Sequence, residues 1–271
     1  MSLSMTDRAQ RQAGHPPPRL PRTSPFLLVV AVVVLGGFVW GIVWSGLNPS
    51  TLVSGAPGLV NFLGKAFPPV LEQGRTVASA TGQTIEMAIV GTVFGAVASL
   101  PVAVLAARNL SPAPLAATVR SLVTSLRAIP DLVWGLVFVV AVGLGPAAGI
   151  CAIAVDTIGY CGRLFAERVE ELDPAPLRAL RATGAHTPAV IVCGVVPAVL
   201  PSFVATSMFA LEKAVRSAVV LGLVGAGGIG IDLSTDMQLF QYQQALTIVI
   251  IIFVVVIAVE RVSAAVRRRI L

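Results

Sequence analysis

Gly225-Ala226-Gly227-Gly228-Ile229-Gly230 spells GxGxxG, a pattern that cradles a pyrophosphate when it joins a strand to a helix inside a βαβ unit. Just upstream, Leu211-Glu212-Lys213-Ala214-Val215-Arg216 packs three charges into apolar sequence. Glu212 and Arg216 have the spacing to pair on one helical face, which leaves Lys213 uncompensated. Arg127 precedes Ile129-Pro130-Asp131, and its structural reading is a pair with Asp131 one turn later. Asp156 is a further acid within apolar sequence, suited to pairing with a neighbouring Arg or to donating as a neutral acid. Cys151, Cys161 and Cys193 show no CxxC spacing and read as packing residues; His15 and His186 lack partners for a zinc or catalytic set. No Ser-His-Asp set, no paired carboxylates in one helical register and no GxxxxGK[ST] loop is present, so no catalytic residue, metal ligand or cofactor is expected.

The elements that must hold these residues are membrane helices. The chain is 271 residues long, 56% hydrophobic and 12% charged, with a mean hydropathy of +0.88. Such a balance excludes an ordinary soluble domain. Met87 to Ala107, Thr187 to Leu211 and Met237 to Val259 carry no charge, and each can cross a hydrocarbon core of roughly 30 Å as a helix. Pro25 to Ser45 reads as the first span, uncleaved; Leu115 to Leu144 and Pro146 to Phe165 read as spans interrupted by charge. The expectation is an all-α integral membrane protein of about six transmembrane helices. Residues 1–24 form a basic tail, 25–45 the first span, 46–80 an external loop with room for a short surface helix, 81–265 a core of five spans, and 266–271 a basic end.

Clusters of Arg precede the first span, lie between the second and third and between the fourth and fifth, and close the chain. All fall on one side of a six-span path, which places both termini in the cytoplasm. The net charge of +6 is thereby explained by topology and anionic lipid headgroups, with no nucleic acid required. Gly37/Gly41 and Gly91/Gly95 are four apart, a spacing that lets helix backbones approach closely in lipid.

The polar stretch 166–188 lies on the cytoplasmic side of this path. Asp173 can cap a helix opening at Pro174, Leu177 and Leu180 share one side, and Gly184 is placed to end it. The result is a short helix along the membrane surface bearing Arg178 and Arg181. It suits either an interfacial helix or a docking element for another subunit.

Together with the residues downstream, this helix resembles the signature loop of permease subunits of ABC importers, whose pattern is EAA, three residues, Gly, nine residues, I-x-L-P. Arg178-Ala179-Leu180, Gly184 and Gly194-Val195-Val196-Pro197 keep that spacing, with Arg178 in place of Glu and Gly194 and Val196 in place of Ile and Leu. Within that superfamily, GTVFGAVASLPVAVLAARNLSP at Gly91 to Pro112, LRAIPDLVWGLVFVVAVGLGP at Leu126 to Pro146, ALRATGA at Ala179 to Ala185 and VRSAVVLGLVGAGGIG at Val215 to Gly230 resemble permeases of phosphonate and phosphate importers.

The resemblance implies a type I importer permease architecture, methionine-importer-like, in a bacterial inner membrane. It implies a second copy of the chain, two cytoplasmic ABC ATPase subunits and an extracytoplasmic solute-binding protein that delivers a phosphonate or phosphate anion. ATP hydrolysis belongs to the ATPases, so the chain is a transport subunit and not an enzyme. Arg178, Ala179, Leu180, Arg181, Gly184 and Ala185 would couple it to them. Arg127, Lys213 and Arg216 become candidates for the translocation pathway, Arg216 first, because a guanidinium can hold a phosphate-like group with two parallel hydrogen bonds. Permeation of another small solute such as methionine stays open, since the signature loop does not encode the cargo. A nucleotide-binding membrane enzyme is the remoter alternative. Against it, Ala245 to Ile250 after the glycines is the interior of an apolar helix, with none of the βαβ context a dinucleotide loop needs. Gly225, Gly227, Gly228 and Gly230 are expected instead in a re-entrant or gate-proximal turn.

Overall fold

Apolar runs without interior backbone partners must satisfy their own hydrogen bonds in lipid, and a helix does so within one segment. The computed structural model describes residues 25–46, 49–71 and 73–270, and every regular element among them is helical. In order they are α1 (Pro25–Trp44), α2 (Pro49–Ala66), α3 (Gly74–Ala106), α4 (Ala113–Ala128), α5 (Asp131–Val142), α6 (Pro146–Glu170), α7 (Pro174–Ala182), α8 (Thr187–Val190), a π-helical turn (Ile191–Val195), α9 (Val196–Gly222), α10 (Ile229–Gln238) and α11 (Tyr242–Ile270). The basic tail expected at 1–24 lies outside the described residues.

Residues 1–61 and 62–271 form two units. In the first, α1 is long and apolar enough to cross a membrane and buries none of its residues. Gly37 and Gly41 therefore have no packing neighbour within it. Most of α2 lies there too, so the expected loop 46–80 is largely helical, and α3 begins at Gly74, well before Met87.

The second unit is organised around the pairing of α3 with α6. Its closest approach is made by Gly91 and Gly95: a Cβ on Gly91 would stand 2.7 Å from Ile153 Cβ, and one on Gly95 2.7 Å from the Ala154 carbonyl. These glycines pack helices, as their spacing predicts. Phe165 of α6 stacks on Phe203 of α9, ring centres 4.0 Å apart, in a core shared with Val169, Val195 and Val199. At the end of α6, Glu170 accepts from the Arg108 amide and pairs with Arg120 of α4, both at 2.6 Å, which ties the α3–α4 connection down.

The third expected span is broken. Proline forces the residue before it out of the helical region, so Ile129 is extended (φ −90°, ψ 124°) and α4 and α5 meet at 90°. The Trp134 indole donates to the Leu126 carbonyl across the break at 3.3 Å. Among the described residues, five helices are long and apolar enough to span by themselves, or six spans result if α4 and α5 count as one. The fifth span, expected to end at Leu211, runs on to Gly222 and carries Glu212, Lys213 and Arg216 inside its helix. It can do so because partners on other helices neutralise two of those charges.

Candidate functional site

Lys213 of α9 is the meeting point. Its ammonium donates to both carboxylate oxygens of Asp156 on α6 at 2.7 Å and lies 3.5 Å from Asp131 Oδ1 at the start of α5. Ser217, one turn after Lys213, donates its hydroxyl to Asp131 Oδ2 at 2.5 Å. The break at Pro130 makes this possible, because it brings Asp131 onto the first turn of α5 beside α9. Lys213 is therefore compensated, contrary to the expectation from its own helix. Two carboxylates facing one ammonium leave an excess negative charge, and the cluster is open: the Lys213, Asp131 and Asp156 side chains are 40%, 27% and 14% exposed. Charged groups this deep in apolar helices avoid lipid, so the open side faces protein or water.

The other expected pairings are corrected in the same way. Glu212 pairs with Arg267 of α11 and not with Arg216, and the Arg267 guanidinium also lies 3.9 Å over the Phe209 ring. Tertiary partners win because Glu212 and Arg267 are nearly buried, where a paired charge interacts more strongly than along an exposed helix face. Arg127 does not reach Asp131, which is taken by Lys213 and Ser217; its stem lies against Gly159 of α6. Arg127 and Arg216 are exposed and make no ion pair among the described residues. The three pathway candidates therefore do not converge: Lys213 lies inside the cluster, and the two arginines lie outside it.

Sequence reasoning missed Ser217, and it gave Asp131 and Asp156 arginine partners where the structure gives both of them Lys213. The signal available was the one-turn spacing of Lys213 and Ser217, which puts both on one face of α9.

The glycine stretch closes α9. Gly225, Gly227 and Gly228 have φ of 89°, 95° and 75°, a region that side chains disfavour. Gly222 and Gly230 bring the end of α9 against the start of α10: a Cβ on Gly222 would lie 2.7 Å from Gly230 Cα, and one on Gly230 would strike the Val219 carbonyl. Gly228 N–H donates to Gln83 Oε1 and Ile229 N–H to Thr84 Oγ1, each at 2.8 Å, while the Gly225 carbonyl accepts from Gly145 N–H at 3.0 Å. Amides that would cradle a phosphate are thus committed to α3. The stretch is a buried turn against α3 and the α5–α6 junction.

The polar segment folds as its caps dictate. Asp173 Oδ1 accepts from Ala175 N–H at 2.9 Å, Pro174 opens α7, and Gly184 leaves it with φ 84°. Leu177 is buried, and Leu180 and Ala185 pack against the same core. Arg178, Ala179, Arg181 and Gly184 are exposed. One face of α7 is fastened to the bundle and the other is free.

Outside the spans, Asp232 and Asp236 of α10 line a cavity of about 170 Å³ with Gln73, Thr76 and Thr235. Burial raises the Asp232 carboxyl above the ordinary carboxylate value; burial and then the charge of Asp232 raise Asp236. Asp232 Oδ2 has no hydrogen-bond partner among the described residues.

Residues 99–271 match the family described as binding-protein-dependent transport system inner membrane component. Over 242 residues, 89% of this chain and 86% of the relative, the chain is 37% identical to the phosphite transport system permease protein PtxC of Stutzerimonas stutzeri. It is also 37% identical to the phosphate-import permease protein PhnE of Mycolicibacterium smegmatis over 82% of its own length, spanning 42% of that longer relative. Among solved structures, the inward-facing MetNI methionine ABC transporter superposes with a TM-score of 0.66 at 23% identity, covering 74% of this chain and 99% of that one. That likeness shows a shared fold. The helical bundle, the surface helix and the match across most of the second unit lead to one assignment: the chain belongs to the binding-protein-dependent transport system inner membrane component family.

Proposed function

We propose that this chain is the membrane-spanning permease subunit of an ATP-driven importer that brings oxyanions of phosphorus into the cell, its cargo drawn from phosphonate, phosphate and phosphite. The observation that carries this reading is the match along most of the chain to relatives named as phosphite and phosphate permeases, on a bundle that holds Lys213 as a partly exposed ammonium between apolar helices. An oxyanion crossing the membrane needs positive potential without a deep trap. Two carboxylates on the Lys213 ammonium leave that cluster no net positive charge, so it orders α5, α6 and α9 beside the path and does not by itself hold the anion. Arg127 and Arg216, exposed and without ion-pair partners among the described residues, supply donors along the path.

A second copy of the chain would complete the pore, since charged groups open on one side of a helical bundle need protein or water there. Two ATPases would dock on the exposed face of α7, through Arg178, Ala179, Arg181 and Gly184, in the cytoplasm with both termini. A solute-binding protein would deliver the anion to the opposite side, where the turn at Gly225 to Gly230 would sit beside the gate. Purified complex of permease, ATPase and binding protein tests this: phosphate, phosphite or a phosphonate should stimulate ATP turnover. Stimulation by methionine and by none of these anions would overturn the cargo assignment.

A further inference from the structure

Two departures from the importer signature meet where α7 packs on the π-helical turn. Leu180 stands where the pattern has Ala, and Gly194 stands where it has Ile. The two positions touch: a Cβ on Gly194 would lie 2.8 Å from Leu180 Cδ1 and 3.0 Å from Leu177 Cδ2. Bulk absent on one side of the contact is present on the other. Packed interfaces tolerate such exchange when the total volume is conserved, and not when one side changes alone.

Gly194 also lies within the π-helical turn Ile191–Val195, which opens directly into α9, the helix of Lys213, Ser217 and the glycine turn. A π turn inserts one residue into a helix and is a recurrent feature of functional segments. Val190, Val195 and Val199, on either side of and within it, are buried in the same core as Leu177. Val192 and Cys193 are exposed. The turn is thus gripped at both ends, with Val192 and Cys193 free between them and Gly194 seated against the two leucines.

We propose that Leu177 and Leu180 on one side and Gly194 on the other form a size-matched joint that transmits displacement of α7 into α9. Gly194 is a positioning residue: it acts through the leucines and touches neither cargo nor nucleotide. The proposal rests on the reading of α7 as the ATPase-docking helix, and it adds the place where that helix grips the span.

The test is a reciprocal swap in the complete transporter, reconstituted with ATPase and binding protein, measuring anion taken up per ATP hydrolysed. Gly194→Ile and Leu180→Ala should each lower that ratio by about threefold to tenfold, and Gly194→Ala, a milder filling, by less. Leu180→Ala combined with Gly194→Ile restores the volume and should return the ratio to within about twofold of the parent. The ratio, unlike yield or stability, does not move when a substitution merely weakens folding. A parent-like ratio for Gly194→Ile, or a double variant no better than the two losses combined, would overturn the joint. A parent chain that recruits no ATPase would overturn the docking reading and the joint with it; a coupled parent whose swap fails overturns the joint alone.

Discussion

Lys213 shows how two side chains on other helices settle a charge that its own helix cannot. Its ammonium is satisfied by Asp156 at 2.7 Å, with Asp131 at 3.5 Å as the looser partner. Replacing Asp156 with Asn removes the nearer carboxylate and leaves the ammonium to Asp131. The solubilised protein should lose about 1–3 kcal/mol in thermal unfolding, the partial exposure of Lys213 keeping the loss at the lower end. Lys213→Met should cost more than Asp156→Asn, because it leaves two carboxylates without an ammonium whereas Asp156→Asn leaves Lys213 paired with Asp131. Arg216→Ala, at an exposed side chain without an ion pair among the described residues, should leave assembly intact and reduce anion uptake; undiminished uptake would remove Arg216 from the pathway. Asp232 behaves differently because its folded carboxyl is held above the ordinary value of 3.8. The folded state then keeps its proton more tightly than the unfolded one, so the stability Asp232 contributes is full below that value and is lost as pH rises through the raised one. Asp232→Asn should raise the melting temperature at pH 7, with an advantage that shrinks as the pH is lowered toward 4, read by thermal scans across pH.

Elements carry the next set of consequences. Gly227 and Gly228 take positive φ where the Gly228 amide bonds Gln83 of α3 and a Cβ on Gly227 would stand 3.1 Å from the Pro146 nitrogen at the start of α6. A Gly227→Leu, Gly228→Leu double variant should lose about 1–3 kcal/mol per residue from backbone strain alone, before any clash, and transport should fail with it. Normal transport would contradict the close-packed turn. The same stretch shows what the sequence could and could not reveal. That GxGxxG here is not a nucleotide loop was legible from its apolar surroundings, because periodicity and composition report local environment. The cap of α7 by Asp173, its stop at Gly184 and the packing role of Gly91 and Gly95 were legible for the same reason: each is decided within a few residues. The partners of Lys213, Glu212 and Arg127 were not. They lie on helices distant in the chain, and a one-turn spacing such as Glu212 to Arg216 records an opportunity that a better-placed Arg267 removes. The 90° break at Pro130 was half legible, since proline announces a bend but the angle depends on what α5 packs against.

At the scale of the whole molecule, membership of an inner-membrane transport family, helices that can span a membrane and a surface helix with one free face belong to a single design. One face of α7 is fastened by its leucines, α9 runs from that contact to the glycine turn, and Lys213 sits along it between acids from α5 and α6. Motion entering at one end of α9 therefore passes the charge cluster before it reaches the other. The most direct measurement is uptake of labelled anion into proteoliposomes holding this chain with its ATPase and binding protein, energised by internal or external ATP according to orientation. The account predicts ATP-dependent accumulation of phosphate, phosphite or a phosphonate that falls on Lys213→Ala. Accumulation of methionine with none of these anions, or anion uptake indifferent to Lys213, would contradict it.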